Sequence, residues 1–396
     1  MSIRVACISV SAALGGSERV LADFAVRAPG LGIEPLVIVP KHGPLVEMLG
    51  ASGITTVVAP ADEAFLELSQ RRRASLDWLT TLPRGITAWA AAIRKALADR
   101  GWTAPGAPAV LYSNGFKAHL SAALLRKHPR VWHIHEYPPG GIGPFWRLVA
   151  GALPDAVIAN SESVAAAWRL PPLSSPVAVL NGVDLERFAP RPRSFWIHEQ
   201  LALPRESRLV GMPAVFARWK GQIEVVTAFE RIAARVPDAH LVLAGGTIYD
   251  TASERGFAAE LVRRVGAGKA GRSVADRIHF VKFQSDPWRL YPEFEVTVHF
   301  SLRPEPFGRV IVESLACGVP VIAARAGGPT EIIEHGTTGW LVRPQDVEGL
   351  GELMVEALTT DRTAMSAAAR RHAEAHFSAD RFASGVSRVL HQVSHP

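Results

Sequence analysis

Two glutamates, Glu305 and Glu313, stand where a proline-broken loop runs into an apolar helical pattern in the stretch RPEPFGRVIVESLACGVPVIA. Paired carboxylates can serve as acid and nucleophile in a glycosidase, which requires them to lie roughly 5–9.5 Å apart. Eight residues of helix already rise about 12 Å, so the spacing weakens a hydrolase without excluding it. The carboxylates could instead bind hydroxyls of one elongated ligand. In the structural interpretation, Glu305 only interacts with the helix dipole and Glu313 is a solvated helix residue. Spacing alone leaves the ligand-binding and the structural interpretations equally open.

The segment Pro306 to Arg309 between the two glutamates is expected to begin a helix. Backbone N–H groups at a helix N-terminus have no intrahelical partner and favour phosphate. Two hydroxyl-binding carboxylates that flank a phosphate site would match a sugar joined to a ribose through a diphosphate.

Short apolar runs alternate with longer amphipathic stretches along the whole chain, as expected for parallel sheets covered by helices. Positions 181–207 lose this periodicity and gather Pro, Arg and Gly, which suits an inter-domain connection at about 185–205. We therefore predict two doubly wound α/β domains, with ligands beyond the carboxyl ends of the strands and a cleft between the domains. The predicted strands are RVACISV, PLVIV, AVLYS, VWHIH, DAVIAN, RLVGMP, HLVLAG, RIHFVKF, VTVHFS, PVIAA and GWLV.

Composition indicates an ordinary globular protein. The 396 residues are too many for one core, and 48% are hydrophobic and 20% charged. Cys7 and Cys317 are the only cysteines, which favours a reducing compartment and hence the cytoplasm. The N-terminal apolar run leads into a Gly-rich turn and an amphipathic helix, so we expect neither a signal peptide nor a membrane-spanning segment.

The positive charge is concentrated in one segment. Positions 60–150 hold 12 Arg or Lys against 6 Asp or Glu, including Arg71, Arg72 and Arg73. A basic face suits an acidic partner such as an anionic lipid surface or a phosphorylated substrate, so peripheral contact with the inner face of the membrane is one interpretation. Arginine bias of the genome is the other, since only 7 basic residues are Lys. We expect no nucleic-acid partner, because no aromatic–basic stacking motif accompanies the charge.

The stretch from Glu305 to Glu313 resembles the E-x7-E signature of the large retaining family-4 nucleotide-sugar glycosyltransferases, which have the GT-B fold of two facing Rossmann-like domains. The resemblance implies an acceptor-binding domain at 1–185, a donor-binding domain at 205–375 and a C-terminal helix at 376–396 that packs back on the first domain. Other stretches resemble family motifs in the family's order: Gly15-Gly16-Ser17-Glu18-Arg19, His135-Glu136, Asn181-Gly-Val-Asp184, Gly327-Gly328-Pro329-Thr330-Glu331 and Gly336-Thr-Thr-Gly339.

The resemblance implies a role for each residue of the donor site. Glu313 would hold the ribose hydroxyls, and Glu305 would bind hydroxyls of the donor sugar while facing its anomeric carbon. Arg218 and Lys220 would offset the charge that grows on the diphosphate leaving group. Only Trp219 separates these two cations, whereas the family usually has several residues there, and an exposed lysine at a helix start is the alternative for Lys220. The other expected donor-binding residues are Gly16, Phe307, Gly308, Arg309 and Val310.

His135 ends the run VWHIH, in which strand alternation sends His133 to the same face. The resemblance implies that His135 bonds the transferred sugar or helps to activate the acceptor, with His133 or a structural role as alternatives. Asn114 and Lys117 follow a predicted strand and could face the acceptor, or form a turn and helix start. We expect no metal site, because the two histidines lack a third ligand nearby and Asp184-Leu-Glu186, the nearest D-x-D-like stretch, is expected to be a turn.

Together with the resemblance, these residues predict a cytoplasmic, metal-independent glycosyltransferase that needs no cofactor beyond its nucleotide-sugar donor. The resemblance implies that the enzyme is retaining and that a UDP-sugar is preferred. By the resemblance, the leaving phosphate oxygen takes the acceptor proton as the new bond forms on the same face. The hydroxyl acceptor stays open between a lipid-linked glycan, a natural product and a small metabolite. The alternatives are a sugar-nucleotide epimerase or a phosphorylase on the same scaffold, and a non-catalytic nucleotide-sugar binding protein.

Overall fold

The structure is a computed structural model that describes residues 2–68, 76–103, 109–140, 143–246, 252–266, 272–282, 284 and 286–394. Arg71, Arg72 and Arg73 of the basic segment lie outside these residues. The chain divides into two compact units, Met1–Asn181 with Ala379–Pro396 and Gly182–Ser378. The limits expected from the sequence were 1–185 with 376–396, and 205–375.

The first unit is a parallel sheet with helices on both faces. Its strand order is β3-β2-β1-β4-β5-β6-β7, so the order reverses between β1 and β4. The strands are β1 Ile3–Ser9, β2 Ile33–Val39, β3 Thr56–Val58, β4 Val110–Asn114, β5 Arg130–Ile134, β6 Ala156–Ala159 and β7 Val177–Ala178. The helices are α1 Gly16–Arg27, α2 Pro44–Ala51, α3 Glu63–Glu67, α4 Leu76–Ala98, α5 Phe116–Ala123, α6 Gly143–Ala152, α7 Glu162–Trp168 and, from the C-terminal end of the chain, α16 Ala379–Ser394.

Strand β1 shows why its sequence is a continuous apolar run. Val5 and Cys7 join a core cluster with α1 and α16, whereas Ala6 and Ile8 join a second cluster with α4 and α5. A strand covered on both faces has no solvent side, so apolar residues follow one another without alternation.

Helix α16 belongs to the first unit. Its apolar residues Phe382, Val386 and Leu390 pack in the cluster that contains β1, and Asp380 accepts a hydrogen bond from Arg27 Nε on α1 at 2.7 Å. The chain thus returns to its first unit after the second is complete.

The second unit is a parallel sheet of order β10-β9-β8-β11-β12-β13, which reverses between β8 and β11. The strands are β8 Arg208–Val215, β9 Ala239–Gly246, β10 Ile278–Lys282, β11 Val296–His299, β12 Val321–Ala324 and β13 Gly339–Val342. The helices are α8 Trp196–Leu201, α9 Gln222–Ile232, α10 Ala252–Gly266, α11 Arg272–Ala275, α12 Arg309–Ala316, α13 Pro329–Ile332, α14 Val347–Thr359 and α15 Thr363–His376.

The aperiodic segment after Asn181 is held to the second unit by buried carboxylates. Glu293 Oε1 accepts hydrogen bonds from the backbone N–H groups of Ser194 and Phe195 at 2.9 and 3.2 Å, and Arg193 pairs with Glu295 at 2.6 Å. Asp184 Oδ1 accepts hydrogen bonds from the backbone N–H groups of Glu186 and Arg187, both at 3.0 Å, which is the geometry of a turn. Carboxylate side chains therefore accept hydrogen bonds from backbone N–H groups that have no partner in a sheet or a helix.

The predicted fold class of two doubly wound parallel-sheet units is confirmed. The expected strands are all present, and the sequence prediction missed only the short strands β3 and β7 among the strands of the described residues. None of the helices in the described part of the chain is both long and apolar enough to cross a membrane.

Candidate functional site

The loop after β11 contains Glu305, whose carboxylate contacts polar side chains from other parts of the second unit. Its Oε2 accepts hydrogen bonds from Lys220 Nζ at 2.7 Å and Ser301 Oγ at 2.8 Å, and His299 Nε2 lies 3.2 Å away. Glu305 is 8% exposed, and this burial by itself would raise the pKa of its carboxyl group. The charge of Lys220 and the imidazole of His299 outweigh that effect and hold the pKa well below its usual range. Glu305 therefore stays ionised and is unsuited to be the acid of a hydrolase, whose pKa must be raised.

Strand order explains why these groups meet. Lys220 follows β8, His299 is the last residue of β11, and Ser301 follows β11. The strand order of the sheet reverses between β8 and β11. Ligands of open parallel sheets bind beyond the carboxyl ends of the strands at such a reversal. The Glu305 cluster lies at the position in the second sheet where this rule expects a ligand.

A glycine lets the two loops approach. Gly221 has φ +79°, and a Cβ there would lie 2.1 Å from the carbonyl oxygen of Phe300. The main chain of Glu305 is held from the other side, because its N–H donates to Ala326 O and its carbonyl accepts from Gly328 N–H at 2.8 Å. The predicted Gly327-Gly328 motif thus supports the Glu305 loop.

The two predicted cations differ in their environment. The Lys220 side chain is 14% exposed and its Nζ lies 4.0 Å from the centroid of the Trp219 ring, so Lys220 is not the exposed helix-start lysine of the structural alternative. The Arg218 side chain is 64% exposed and pairs with Glu260 on α10. The structure brings Lys220 to Glu305 and turns Arg218 to Glu260.

Glu313 lies on α12 and is 5% exposed, so it is not a solvated helix residue. Its Oε2 accepts a hydrogen bond from Tyr291 O–H at 2.6 Å, and its Oε1 accepts from Arg309 Nε at 3.1 Å. Burial, and then the charge of Glu313, raise the pKa of Tyr291 well above its usual value, which keeps the phenol a donor. Of the other expected donor-binding residues, Phe307 is buried and Gly308, with φ +98°, directly precedes α12.

Sequence reasoning missed three residues of this site: His299, Ser301 and Tyr291. His299 and Ser301 end the predicted strand VTVHFS, and polar residues at a strand end were a usable signal. Tyr291 lies 22 positions before Glu313 in an aperiodic segment and left no comparable signal.

In the first unit, a pocket of about 100 Å³ opens at the carboxyl ends of β4 and β5, lined in part by Asn114, His133 and His135. The rings of His133 and His135 lie 4.0 Å apart, as strand alternation predicted. Tyr112 O–H lies 2.5 Å from His133 Nδ1, and within the described residues neither histidine has a partner for Nε2. Burial lowers the pKa of His135 to about 3 and holds that of His133 well below its usual value, so both rings are neutral at physiological pH.

Of the other residues predicted to act in the first unit, Asn114 lines this pocket, whereas Gly16 and Lys117 do not. Asn114 Nδ2 donates to Ser17 O at 2.9 Å, at the start of α1. Gly16 begins α1, and a Cβ built on it meets no described atom within 4 Å, so packing inside the unit does not require this glycine. Lys117 Nζ donates instead to Leu66 O at 2.6 Å. Among the described residues, no group of three or more His, Cys, Asp or Glu is placed to hold a metal ion.

Similar proteins identify the fold and the family. One relative is a mannosyltransferase of Corynebacterium glutamicum, which is 29% identical over 214 residues, covering 53% of this chain and 54% of that protein. Its name is GDP-mannose-dependent monoacylated alpha-(1-6)-phosphatidylinositol monomannoside mannosyltransferase. The D-inositol 3-phosphate glycosyltransferase of Mycolicibacterium gilvum is 33% identical over 199 residues, covering 48% and 41%. The chain spans roughly half the length of such curated relatives.

The crystal structure of Anabaena HepE in complex with UDP and glucose matches with a TM-score of 0.78 at 23% identity, covering 98% of this chain and 99% of that one, which shows a shared GT-B fold. The family model described as Glycosyltransferase Family 4 matches residues 14–187, and the model described as Glycosyl transferases group 1 matches residues 195–372. The two matches together account for most of the chain, which belongs to the family-4 type of glycosyltransferases with the GT-B fold.

Proposed function

We propose that this chain is a retaining glycosyltransferase that moves a sugar from a nucleotide diphosphate donor to a hydroxyl acceptor without a metal ion. The observation that carries the proposal is the buried Glu305, held ionised beside Lys220 at the strand reversal of the second sheet. Family membership and the buried, hydrogen-bonded Glu313 on the following helix support the same function.

Glu313 would bind the ribose of the donor. A carboxylate has about four lone-pair positions, and the contacts described above use one on each oxygen, from Tyr291 and Arg309. The remaining positions would accept hydrogen bonds from two neighbouring ribose hydroxyls without breaking either contact. Tyr291 and Arg309 would hold the carboxylate in the orientation that the ribose requires.

Lys220 would act on the leaving group. Its ammonium has three donors, of which one points to Glu305, so the others can bind phosphate oxygens. Negative charge grows on the diphosphate as its bond to the sugar breaks, and a fixed cation stabilises that charge more than the ground state. Arg218 would join it only after leaving Glu260.

Glu305 would bind donor-sugar hydroxyls and stabilise positive charge at the anomeric carbon. Its lowered pKa and its three polar neighbours make it a weak nucleophile, which favours a front-face reaction. The bond from the anomeric carbon to the phosphate oxygen breaks, the acceptor oxygen bonds the same face, and the phosphate oxygen takes the acceptor proton. His135 would bond the transferred sugar or the acceptor.

Relatives support different donors. The structure of Anabaena HepE contains UDP and glucose, whereas the Corynebacterium relative is named for GDP-mannose. We propose a UDP-sugar, with GDP-mannose as the competing donor. The acceptor stays a hydroxyl of a lipid-linked glycan, a natural product or a small metabolite, and peripheral contact of the 60–150 segment with an anionic membrane stays part of the proposal.

Thermal shift with UDP, GDP, ADP and dTDP sugars, with and without a chelator, tests the donor site. A ligand that binds the native state raises the melting temperature, and the rise should survive the chelator. Glu313→Ala should lose a charged hydrogen bond and weaken binding by roughly 10- to 150-fold, whereas Glu348→Ala, at an exposed position on α14, should not. Unchanged affinity of the Glu313 variant would return this residue to a structural role.

Turnover tests the chemistry. Glu305→Gln should lower kcat more than donor affinity, and the anomeric configuration of the product, measured by NMR, should match that of the donor. Donor turnover without acceptor would favour an epimerase, and phosphate dependence a phosphorylase. Tight donor binding without transfer or slow hydrolysis would support the non-catalytic alternative.

A further inference from the structure

The pocket of the first unit has aromatic walls. Trp146 meets Phe116 edge-on with ring centroids 4.3 Å apart, and Trp132 stacks on His119 at 4.8 Å. Tyr137 and Trp168 also line the pocket. Its volume of about 100 Å³ is smaller than the cavity of roughly 150 Å³ that holds benzene, so it has room for part of one ring and excludes larger groups.

The walls also contain buried polar atoms that the protein leaves unpaired. Within the part of the chain that the structure describes, Nε1 of Trp132 and Trp146, Nε2 of His133 and His135, and Oδ1 of Asn114 have no hydrogen-bond partner. All five residues line the pocket. Unpaired buried donors and acceptors destabilise a protein, so hydroxyl groups of a ligand would form the hydrogen bonds that the protein does not supply to these atoms.

The charges around the pocket do not favour an anion. Among its described lining residues none is Lys or Arg, and the one carboxylate is Glu136. Burial lowers the pKa of His119 to about 3, like that of His135, so these imidazoles carry no charge at neutral pH. Lys117 on α5 is engaged with the Leu66 carbonyl. Moving a phosphate from water into such a site would leave its charge uncompensated.

We propose that this pocket receives an uncharged, hydroxylated ring of the acceptor and discriminates against the phosphorylated form of the same ring. The inference rests on the proposed function, because it assigns the pocket to the acceptor. Aromatic faces would pack against the ring, and the indole and imidazole nitrogens would bond its hydroxyls. It narrows the acceptor to molecules whose reacting end is neutral.

Fluorine NMR of the full chain labelled with 5-fluorotryptophan tests the pocket without relying on activity. Trp132 and Trp146 report on it, and Trp288 and Trp340 of the second unit are matched controls; each signal is assigned from its Trp→Phe variant. The probes are myo-inositol against inositol 1-phosphate, and methyl α-glucoside against glucose 6-phosphate. At least one neutral probe should move the pocket signals alone, with its phosphorylated counterpart binding about tenfold more weakly or worse.

Equal or tighter binding of the phosphorylated probes overturns the proposal, as does failure of every neutral probe to move the pocket signals up to its solubility. Arg147 directly follows Trp146 on α6, and within the described residues its buried Nε has no hydrogen-bond partner, so Arg147→Gln is a second arm. If phosphorylated probes bind and this variant abolishes their binding, the site selects anions instead.

Trp146→Phe keeps one aromatic ring, removes the Nε1–H donor and leaves a gap where the five-membered ring of the indole packed. We expect the affinity of the neutral probe, followed at Trp132, to fall about three- to tenfold, and the melting temperature to fall because of the lost packing. Unchanged affinity, at whatever melting temperature, would mean that Trp146 is structural. Nucleotide thermal shift in the same samples reports on the proposed function separately: anion preference with intact nucleotide binding refutes only this inference, and ring binding without any nucleotide binding refutes only the donor assignment.

Discussion

Replacing Lys220 by Met removes the cation beside Glu305 while keeping an apolar stem of similar length. Both side chains are largely buried, at 14% and 10% exposure, so the carboxylate left behind cannot be rescued by water. Removing one partner of a buried pair destabilises by about 3–5 kcal/mol. Ser301 still donates to Glu305, so we expect the lower end, about 3 kcal/mol. For a unit of this size, that lowers the melting temperature by roughly 6–12 °C.

The pH dependence of this loss identifies its cause. In the wild type the pKa of Glu305 is lowered, so its stabilisation is complete above the unfolded value of about 4.3 and is lost only as the pH falls through the folded pKa. Without Lys220, burial dominates and raises the pKa of Glu305, so the variant regains stability when the carboxyl is protonated. The gap between the two proteins should be largest at neutral pH and should narrow as the pH falls toward 4.3 and below.

Calorimetric unfolding at several pH values measures both effects. Arg218→Met is the matched control, because the exposed pair of Arg218 with Glu260 should contribute only about 0–1 kcal/mol. The double variant Lys220→Met/Glu305→Gln should recover part of the loss, since no buried charge remains. If Lys220→Met cost no more than Arg218→Met, or cost the same at every pH, Lys220 would not balance the charge of Glu305.

Three further predictions, which use four substitutions, test other parts of the structure. Tyr291→Phe should lower stability by about 1.5–3 kcal/mol in urea unfolding, because Glu313 loses a charged hydrogen bond; a neutral result would contradict the pairing. Gly221→Ala should cost roughly 2–4 kcal/mol and Gly336→Ala only about 1 kcal/mol, since both have positive φ but only Gly221 has a backbone atom in the way; equal losses would refute the steric argument. Between about pH 6.5 and 3 unfolded His135 binds a proton that the folded residue does not, so stability rises with pH there, and His135→Gln should reduce the slope by up to about 1.4 kcal/mol per pH unit in denaturation at pH 5 to 7.

The sheets could be predicted because their strands are buried on both faces. Val5 to Ile8 alternate between two cores, so the strand is apolar throughout and stands out from its surroundings. Strands β3 and β7, with three and two residues, carry too little pattern of their own and exist because a neighbouring strand pairs with them. Tertiary context, rather than local sequence, creates such edges.

The candidate site was predictable where a motif is local and not where partners are distant. Glu305 and Glu313 lie in one stretch with a recognisable spacing. Lys220 meets Glu305 because β8 and β11 are neighbours in the sheet, which no local pattern states. Arg218 turns to Glu260, 42 positions away on another helix, and only the folded unit decides that pairing.

The polar groups of the two sites are balanced differently, and this has consequences for binding. In the second unit Glu305 and Glu313 already accept hydrogen bonds from protein groups, so a nucleotide sugar would add contacts to a network whose carboxylates have partners within the protein. In the first unit, among the described residues, the pocket nitrogens of Trp132, Trp146 and His133 lack partners. A neutral hydroxylated ring would therefore remove an existing penalty as well as form new contacts, so each hydroxyl lost from the acceptor should weaken binding more than an exposed hydrogen bond would.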